Sequence, residues 1–259
     1  MHSGGAARAI ALVPEEPMSR IRAVFFDVGG TLAYPHPSFH AVIARVLGEH
    51  GVRVTPEQVL AVEPQVWEAV EAYQRAGGSF TRSDAESRRF WYWVYETFLR
   101  LLGVPDAREL PQRLYSEFVK YETYRLYPDA LPTLRLLKER GVRLGVISNW
   151  EEWLEQLLLH LEIHTYFAAT TISGIAGVEK PDPRIFARAL ESLGVAPEEA
   201  AHVGDSLRQD VEGARAAGLL PVLIDRRGAG ATPGTAGAAP AGDYLRVTDL
   251  TQLPAVLGL

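Results

Sequence analysis

The chain has no cysteine among its 259 residues. Disulfides, a thiolate nucleophile and Cys-ligated zinc are therefore excluded, and the absence fits a reducing cytoplasm, the expected compartment. Lysine is almost as scarce: Lys120, Lys138 and Lys180 are the only ones, so arginine carries nearly all the basic charge. Lys and Arg together number 26 against 32 acidic residues, a net charge of −6. A mildly acidic chain without a basic run is poorly matched to a phosphate backbone, and no nucleic-acid partner is expected. No apolar stretch reaches the ~18 residues that a membrane span needs, so no membrane association is expected. Ala9–Val13 is too short for the apolar region of a signal peptide. Residues 1–20, containing Gly, Ala and Pro, read as a tail ahead of the folded body.

What is present is globular in composition, 47% hydrophobic and 22% charged, with enough chain to bury a sizeable core. From Ile21 to Phe26 a short β-branched and aromatic run stops at Asp27-Val28-Gly29-Gly30-Thr31. A continuous apolar run ending in a glycine-rich turn is the mark of a parallel strand covered on both faces. Similar runs recur at Val142–Ser148, Phe167–Ser173, Ala200–Val203, Leu220–Ile224 and Asp243–Val247. Between them lie helical patterns at Leu131–Arg140, Trp153–Leu161, Pro183–Leu193 and Asp210–Ala217, with Gly141, Gly194 and Gly218 where C-terminal caps belong. Strand alternating with helix predicts an α/β fold, a three-layer Rossmann-like parallel sheet.

Residues 37–124 break this rhythm. They carry helix starts and no strand signal: a capping-box spacing at Thr55-Pro56-Glu57-Gln58, a second at Ser83-Asp84-Ala85-Glu86 opening a helix that runs to Gly103, and a third start at Asp106 with Glu109. A block of this length is too long for a loop, so it is expected to be an α-helical cap inserted in a core made of 21–36 and 125–259. The Gly/Ala/Pro segment 227–242 reads as a surface loop; it lacks the spacing of a phosphate-cradling glycine loop.

Four constellations fall at the C-terminal ends of four expected strands, where ligands bind in open parallel sheets. The first is Asp27-Val28-Gly29-Gly30-Thr31-Leu32, a carboxylate suited to nucleophilic attack or metal ligation, with glycines that let backbone N–H groups approach an anion. Ser148-Asn149 offers a hydroxyl and an amide. Lys180-Pro181-Asp182-Pro183 fixes a cation just before a helix. Gly204-Asp205-Ser206 with Asp210 puts one carboxylate on a turn and another in the first turn of the following helix.

In order and separation, over residues 21–226, these motifs resemble those of the haloacid dehalogenase (HAD) superfamily of hydrolases, and the helical block resembles that family's cap inserted after the first motif. The resemblance implies a phosphatase with Asp27 as the nucleophile that forms an aspartyl-phosphate and Lys180 as the cation neutralising it. It implies Mg²⁺ held by Asp27, the backbone carbonyl of Gly29, Asp205 and Asp210, the last either through water or as an orienting group. Gly30, Thr31, Ser148, Asn149 and Lys180 would hold the phosphoryl group of a small phosphorylated substrate. Three carboxylates against one ammonium leave a charge deficit that a divalent cation cancels; each carboxylate pair at ~4 Å otherwise costs about 4 kcal/mol at an effective dielectric near 20. An all-oxygen donor set favours Mg²⁺ over zinc.

One position departs from the pattern. The family's phosphatases carry a second aspartate two residues after the nucleophile, as acid and then base; here that position is Gly29. General acid–base catalysis contributes about 10²–10⁴-fold, so weakened chemistry and a preference for good leaving groups, such as acyl or aryl phosphates, are expected. On this reading Gly29→Asp is a gain of function. Dehalogenases carry tyrosine at this position, and the Schiff-base hydrolases of the family need a cap lysine, yet no lysine lies between Asp27 and Lys120. Two other readings stay open: a catalytically impaired binder of phosphoryl compounds, and a C–halogen hydrolase. Tyr34, His36 and His40 follow the first motif and are the candidate substitute acids, or simply loop and helix-start residues. In the cap, Trp91, Val94, Tyr95 and Phe98 share one helical face, with Trp67 and Tyr73 expected to join it, while Trp150 and Trp153 are placed to border a substrate entrance.

Overall fold

The computed structural model describes residues 21–104, 109–226 and 244–259. The expected tail over 1–20, the helix start at Asp106, the first residue of the last expected strand and the segment 227–242 lie outside them.

The apolar runs form a six-stranded, all-parallel sheet. Its strands are β1 (Ala23–Phe26), β4 (Arg143–Ser148), β5 (Ala169–Ile172), β6 (Ala200–Gly204), β7 (Leu220–Ile224) and β8 (Leu245–Val247), in the order β5-β4-β1-β6-β7-β8. Every residue of β1 is fully buried because the strand is central and covered on both faces. One face packs on α5 (Ala130–Glu139), α6 (Leu154–His160) and α10 (Leu253–Val256) through Leu134, Leu137, Leu157 and Leu253. The other packs on α8 (Pro183–Leu193) and α9 (Gly213–Ala216) through Ile185, Phe186, Leu190 and Ala214. Three layers result. The chain leaves β1 towards β4 and β5, then returns to the opposite side of β1 at β6, so the topological switch point, and with it the ligand crevice, lies at the C-terminal ends of β1, β4 and β6.

Within residues 39–118 the described regular elements are all helices, α1 (Phe39–Glu49), α2 (Pro56–Arg75), α3 (Asp84–Leu101) and α4 (Leu110–Phe118). They enclose a separate apolar cluster that includes Val42, Leu47, Val66, Val94, Phe98 and Leu114. The Thr55–Gln58 capping box forms in both directions. At Ser83 only half of the expected box forms: its hydroxyl accepts from the Glu86 N–H, but the Glu86 carboxylate turns instead to Ser79 and Arg82.

Two features differ from the sequence expectation. Just outside the helical block, β2 (Ala33–Pro35) and β3 (Tyr124–Leu126) pair antiparallel, joining the segments that enter and leave it. The expected helix Asp210–Ala217 begins earlier, as a wide π turn over Leu207–Glu212 capped by Ser206, and only its second half is α-helical. Ser206 O accepts from both Asp210 N at 2.9 Å and Val211 N at 3.2 Å, which widens the turn. Such turns recur at functional sites, and the reason here is the inward pull on Asp210 described below.

Candidate active site

Asp27 directly follows β1, its N–H donating to Val203 O at 2.9 Å so that the ladder continues one residue past the strand. The chain then folds back, with the N–H groups of Leu32 and Ala33 both donating to Val28 O. Gly30 makes this turn possible with φ +73°, and a Cβ there would meet Asp205 Oδ2 at 2.3 Å. The glycine thus lets backbone lie flat against a carboxylate.

The Asp27 side chain is pinned through one oxygen. Its Oδ1 accepts from Ser148 Oγ at 2.9 Å and from Lys180 Nζ at 2.8 Å, which leaves Oδ2 without a protein donor among the described residues. Lys180 is 2% exposed and all three of its ammonium protons are used: on Asp27, on Ile147 O at 2.9 Å and on Asp210 Oδ1 at 2.6 Å. Burial disfavours its charge, but the Asp210 and Asp27 carboxylates outweigh that and hold the ammonium above its ordinary range. Asn149 locks the lysine's backbone, accepting from Lys180 N at 2.7 Å and donating to Lys180 O at 2.9 Å and to Gln209 Oε1 at 3.2 Å.

Asp210 is more fully committed. Oδ1 takes Lys180 and His202 Nε2, the latter at 2.8 Å, and Oδ2 takes the Ser206 N–H at 2.9 Å. A Cβ at Gly204 would lie 2.1 Å from the Asp210 carboxyl carbon, so that glycine is a cradle for the group. Burial works against ionisation of Asp210, yet Lys180 and His202 override it and keep its carboxyl far below the usual range. His202 lies wholly buried on β6, where desolvation pushes its ring below the ordinary range against the opposing Asp210, with Nε2 2.8 Å from Asp210 Oδ1. In Asp205 the balance is reversed: burial, then the neighbouring Asp27 and Asp210, push it up to about 8. Burial also raises Asp27, with Asp210 adding to it and Lys180 and Ser148 opposing.

Oxygens of Asp27, Asp205 and Asp210 lie within 4.8 Å of one another. The all-oxygen set, the elevated Asp205 and the two glycines moulded to carboxylates fit a hard divalent cation. Because both Asp210 oxygens already accept protein donors, Asp27 and Asp205 are the better direct ligands and Asp210 the better organiser of Lys180.

Above this cluster is a cavity of about 520 Å³, walled on one side by the strand ends and on the other by α1–α4. Trp150 and Trp153 both line it, packed edge-to-face at 5.3 Å. Trp91 lines it too while packing on the same cluster as Val94, Tyr95 and Phe98, stacked on Tyr95 at 5.8 Å, with Phe90 buried beside them. Trp67 packs on the helical cluster and reaches the cavity, whereas Tyr73 is 38% exposed and stacks on Phe90 and Trp93. A Cβ at Gly29 would come within 2.9 Å of the Trp150 ring. The indole therefore stands where an acidic side chain at position 29 would project, and Gly29→Asp gains nothing unless that ring moves.

Two carboxylates tie the helices to the strand ends. Glu151 accepts from Ser87, from Tyr115 at 2.9 and 3.0 Å and from Trp153 Nε1 at 2.6 Å. Glu179, next to the buried lysine, accepts from the backbone N–H groups of Phe80 and Thr81 at 3.2 and 3.0 Å and from Thr81 Oγ1 at 3.2 Å. Glu179→Ala strands these donors, and a loss of about 1–3 kcal/mol in urea unfolding is expected, with faster amide exchange at Phe80 and Thr81.

Of the residues singled out in the sequence, Asp27, Gly29, Gly30, Ser148, Asn149, Asp205 and Asp210 converge on the cavity, with Lys180 bonded beneath Asp27. Thr31 does not join them: it is wholly buried, its Oγ1 has no partner among the described residues, and it is not part of the cavity wall. The Ser148 hydroxyl and Asn149 amide, expected to hold phosphoryl oxygens, are spent on Asp27 and the lysine loop. His36 is exposed, whereas His40 and Tyr34 line the cavity. Sequence reasoning missed His202, hidden inside an apolar strand, and Gln209, Glu151, Glu179 and Glu63, none of which stands in a recognisable motif.

Comparison with known proteins identifies the family. The chain is 34% identical over 211 residues to a glyceraldehyde 3-phosphate phosphatase of Methanopyrus kandleri, covering 80% of this chain and 84% of that one. It is 40% identical over 153 residues to a phosphoserine phosphatase of Thermus thermophilus, covering 58% of each. The Bacillus subtilis HAD-hydrolase YfnB, solved bound to magnesium, superposes with a TM-score of 0.71 at 18% identity, covering 93% of this chain and all of that one, a likeness of fold. The haloacid dehalogenase-like hydrolase profile matches residues 21–218, and the chain belongs to that family.

Proposed function

We propose that this hydrolase is a Mg²⁺-dependent phosphatase of the cytoplasm that acts on a small phosphorylated metabolite through an aspartyl-phosphate on Asp27, with residues 37–124 serving as its cap. The single observation that carries the reading is the Asp27 carboxylate: buried, held through Oδ1 by Ser148 and Lys180, and facing two more acids within 4.8 Å. The activities for which the two relatives are named, both phosphatases, support a phosphoryl substrate.

Asp27 Oδ2 attacks phosphorus while Lys180 and Ser148 hold the carboxylate in line and offset its charge. Asp27, Asp205 and the Gly29 carbonyl would hold Mg²⁺, which would supply positive charge to offset that of the carboxylates and the phosphoryl group. Asp210 and Asn149 fix Lys180 from its two ends. The helical wall excludes water from the cavity during the first transfer. Three acids around one lysine favour this reading over a C–halogen hydrolase, whose chemistry needs no cation.

Phosphate release from a panel of small phosphate monoesters and acyl phosphates, with Mg²⁺ and with chelator, tests the proposal, alongside chloride release from 2-chloropropionate. Mg²⁺-dependent phosphate release is the expected result. Chloride release, or binding of phosphoryl compounds without turnover, overturns it in favour of one of the other two readings. The elevated Asp205 adds a signature. Mg²⁺ must displace its proton, so below pH about 8 the apparent Mg²⁺ affinity falls by up to about tenfold per pH unit. Calorimetric titration at pH 6, 7 and 8.5 checks this, and a pH-independent affinity counts against Asp205 as a ligand.

A further inference from the structure

Cleavage of an alkyl phosphate needs a proton for the departing oxygen, and position 29 cannot give one, being glycine with the Trp150 ring against it. Several other side chains around the cavity are committed elsewhere. The Tyr115 hydroxyl is committed to Glu151, and Tyr124 donates to Phe118 O at 2.9 Å. Burial pushes both phenols up well beyond their ordinary values, Tyr124 further than Tyr115. Glu151 is occupied accepting from three donors. Asp205 belongs to the cation under the reading above.

One pair on the helical wall is different. His40, in the first turn of α1, and Glu63, on α2, both line the cavity. Glu63 is 3% exposed; its Oε1 accepts from Trp67 Nε1 at 3.1 Å and its Oε2 lies 3.2 Å from His40 Nε2. A buried carboxylate beside one ring nitrogen orients the imidazole at the cavity wall. This is the arrangement of an oriented acid–base histidine.

We propose that His40, positioned by Glu63, is the proton donor to the leaving group, in place of the missing acid at position 29. The inference rests on the phosphatase reading. In the first step the Asp27 Oδ2–P bond forms, the bond from phosphorus to the ester oxygen breaks, and the His40 proton passes to that oxygen, releasing a neutral alcohol. In the second step neutral His40 takes a proton from water as the water oxygen bonds to phosphorus. The Asp27–P bond breaks, orthophosphate leaves, and imidazolium and carboxylate are regenerated. The substrate class widens accordingly, from activated phosphates to ordinary alkyl phosphate monoesters.

The test is the ratio of kcat/KM values, which report the first transfer alone, for glycerol 1-phosphate and p-nitrophenyl phosphate, the second of which departs without a proton. In His40→Asn this ratio is expected to fall by about 10²-fold or more, and in Glu63→Gln in the same direction by a smaller factor. An unchanged urea midpoint and far-ultraviolet circular dichroism spectrum in the same preparations report an intact fold. An equal loss on both substrates makes His40 structural and overturns the proposal, as does an unchanged ratio. Wild-type turnover of p-nitrophenyl phosphate alone overturns it too, while leaving the phosphatase reading in place. Turnover of neither substrate by the wild type removes that reading and the proposal together.

Discussion

Asp27→Asn is expected to lower phosphate release by about 10⁴-fold or more, the scale on which removal of a covalent nucleophile acts. Asparagine keeps the volume of the side chain and an oxygen for Ser148 and Lys180, so the site is expected to remain assembled. What disappears is the anionic Oδ2, the oxygen with no protein donor among the described residues and therefore the one available to phosphorus. Measurement of phosphate release and of the intact mass after rapid acid quench separates the possibilities. The wild type is expected to show a phosphoryl adduct and the variant none. A variant that keeps more than about a hundredth of the activity would place the nucleophile elsewhere.

Lys180→Met is expected to damage both stability and turnover, because one ammonium serves two carboxylates. Its removal leaves Asp27 and Asp210 buried without the cation that bridges them at 2.8 and 2.6 Å. Breaking a buried ion pair by deleting one partner costs about 3–5 kcal/mol, read as a lower urea midpoint in the presence of chelator. Added Mg²⁺ should recover part of that loss, since it binds only the folded acids. Lys180→Arg is not expected to rescue turnover. The lysine is 2% exposed and its three protons already point at Asp27, Asp210 and Ile147 O, a compact arrangement that a planar guanidinium cannot reproduce. Full activity in Lys180→Met would remove the lysine from the mechanism.

The sheet was legible because its strands carry their own signal. Ala23–Phe26 and Leu220–Ile224 are buried on both faces, and continuous apolar runs need no partner to be recognised. The cluster of acids around Lys180 was legible because its members sit at strand ends in short motifs. What escaped depends on contacts between distant segments. Ala33–Pro35 and Tyr124–Leu126 are three-residue strands, one with a proline, stabilised only by each other. The π turn at Leu207–Glu212 reads as ordinary helix until Asp210 is seen bonded to Lys180, His202 and the Ser206 N–H. His202 looks like a polar interruption in an apolar strand, and its role exists only once Asp210 is eight positions on and 2.8 Å away. Gly29 was read as an absence, whereas the space beside it belongs to Trp150, brought there from a different strand end.

The short ribbon beside the sheet has an evolutionary consequence. Since Ala33 faces Leu126 and Pro35 faces Tyr124, everything between those residues is topologically the tip of a hairpin. The described helices α1–α4 could be exchanged for another insert without disturbing the register of Asp27, Lys180, Asp205 or Asp210. Selection can therefore remodel the wall of the cavity, His40 and Glu63 with it, while the acids and the lysine, anchored on the other side of that seam, are inherited unchanged.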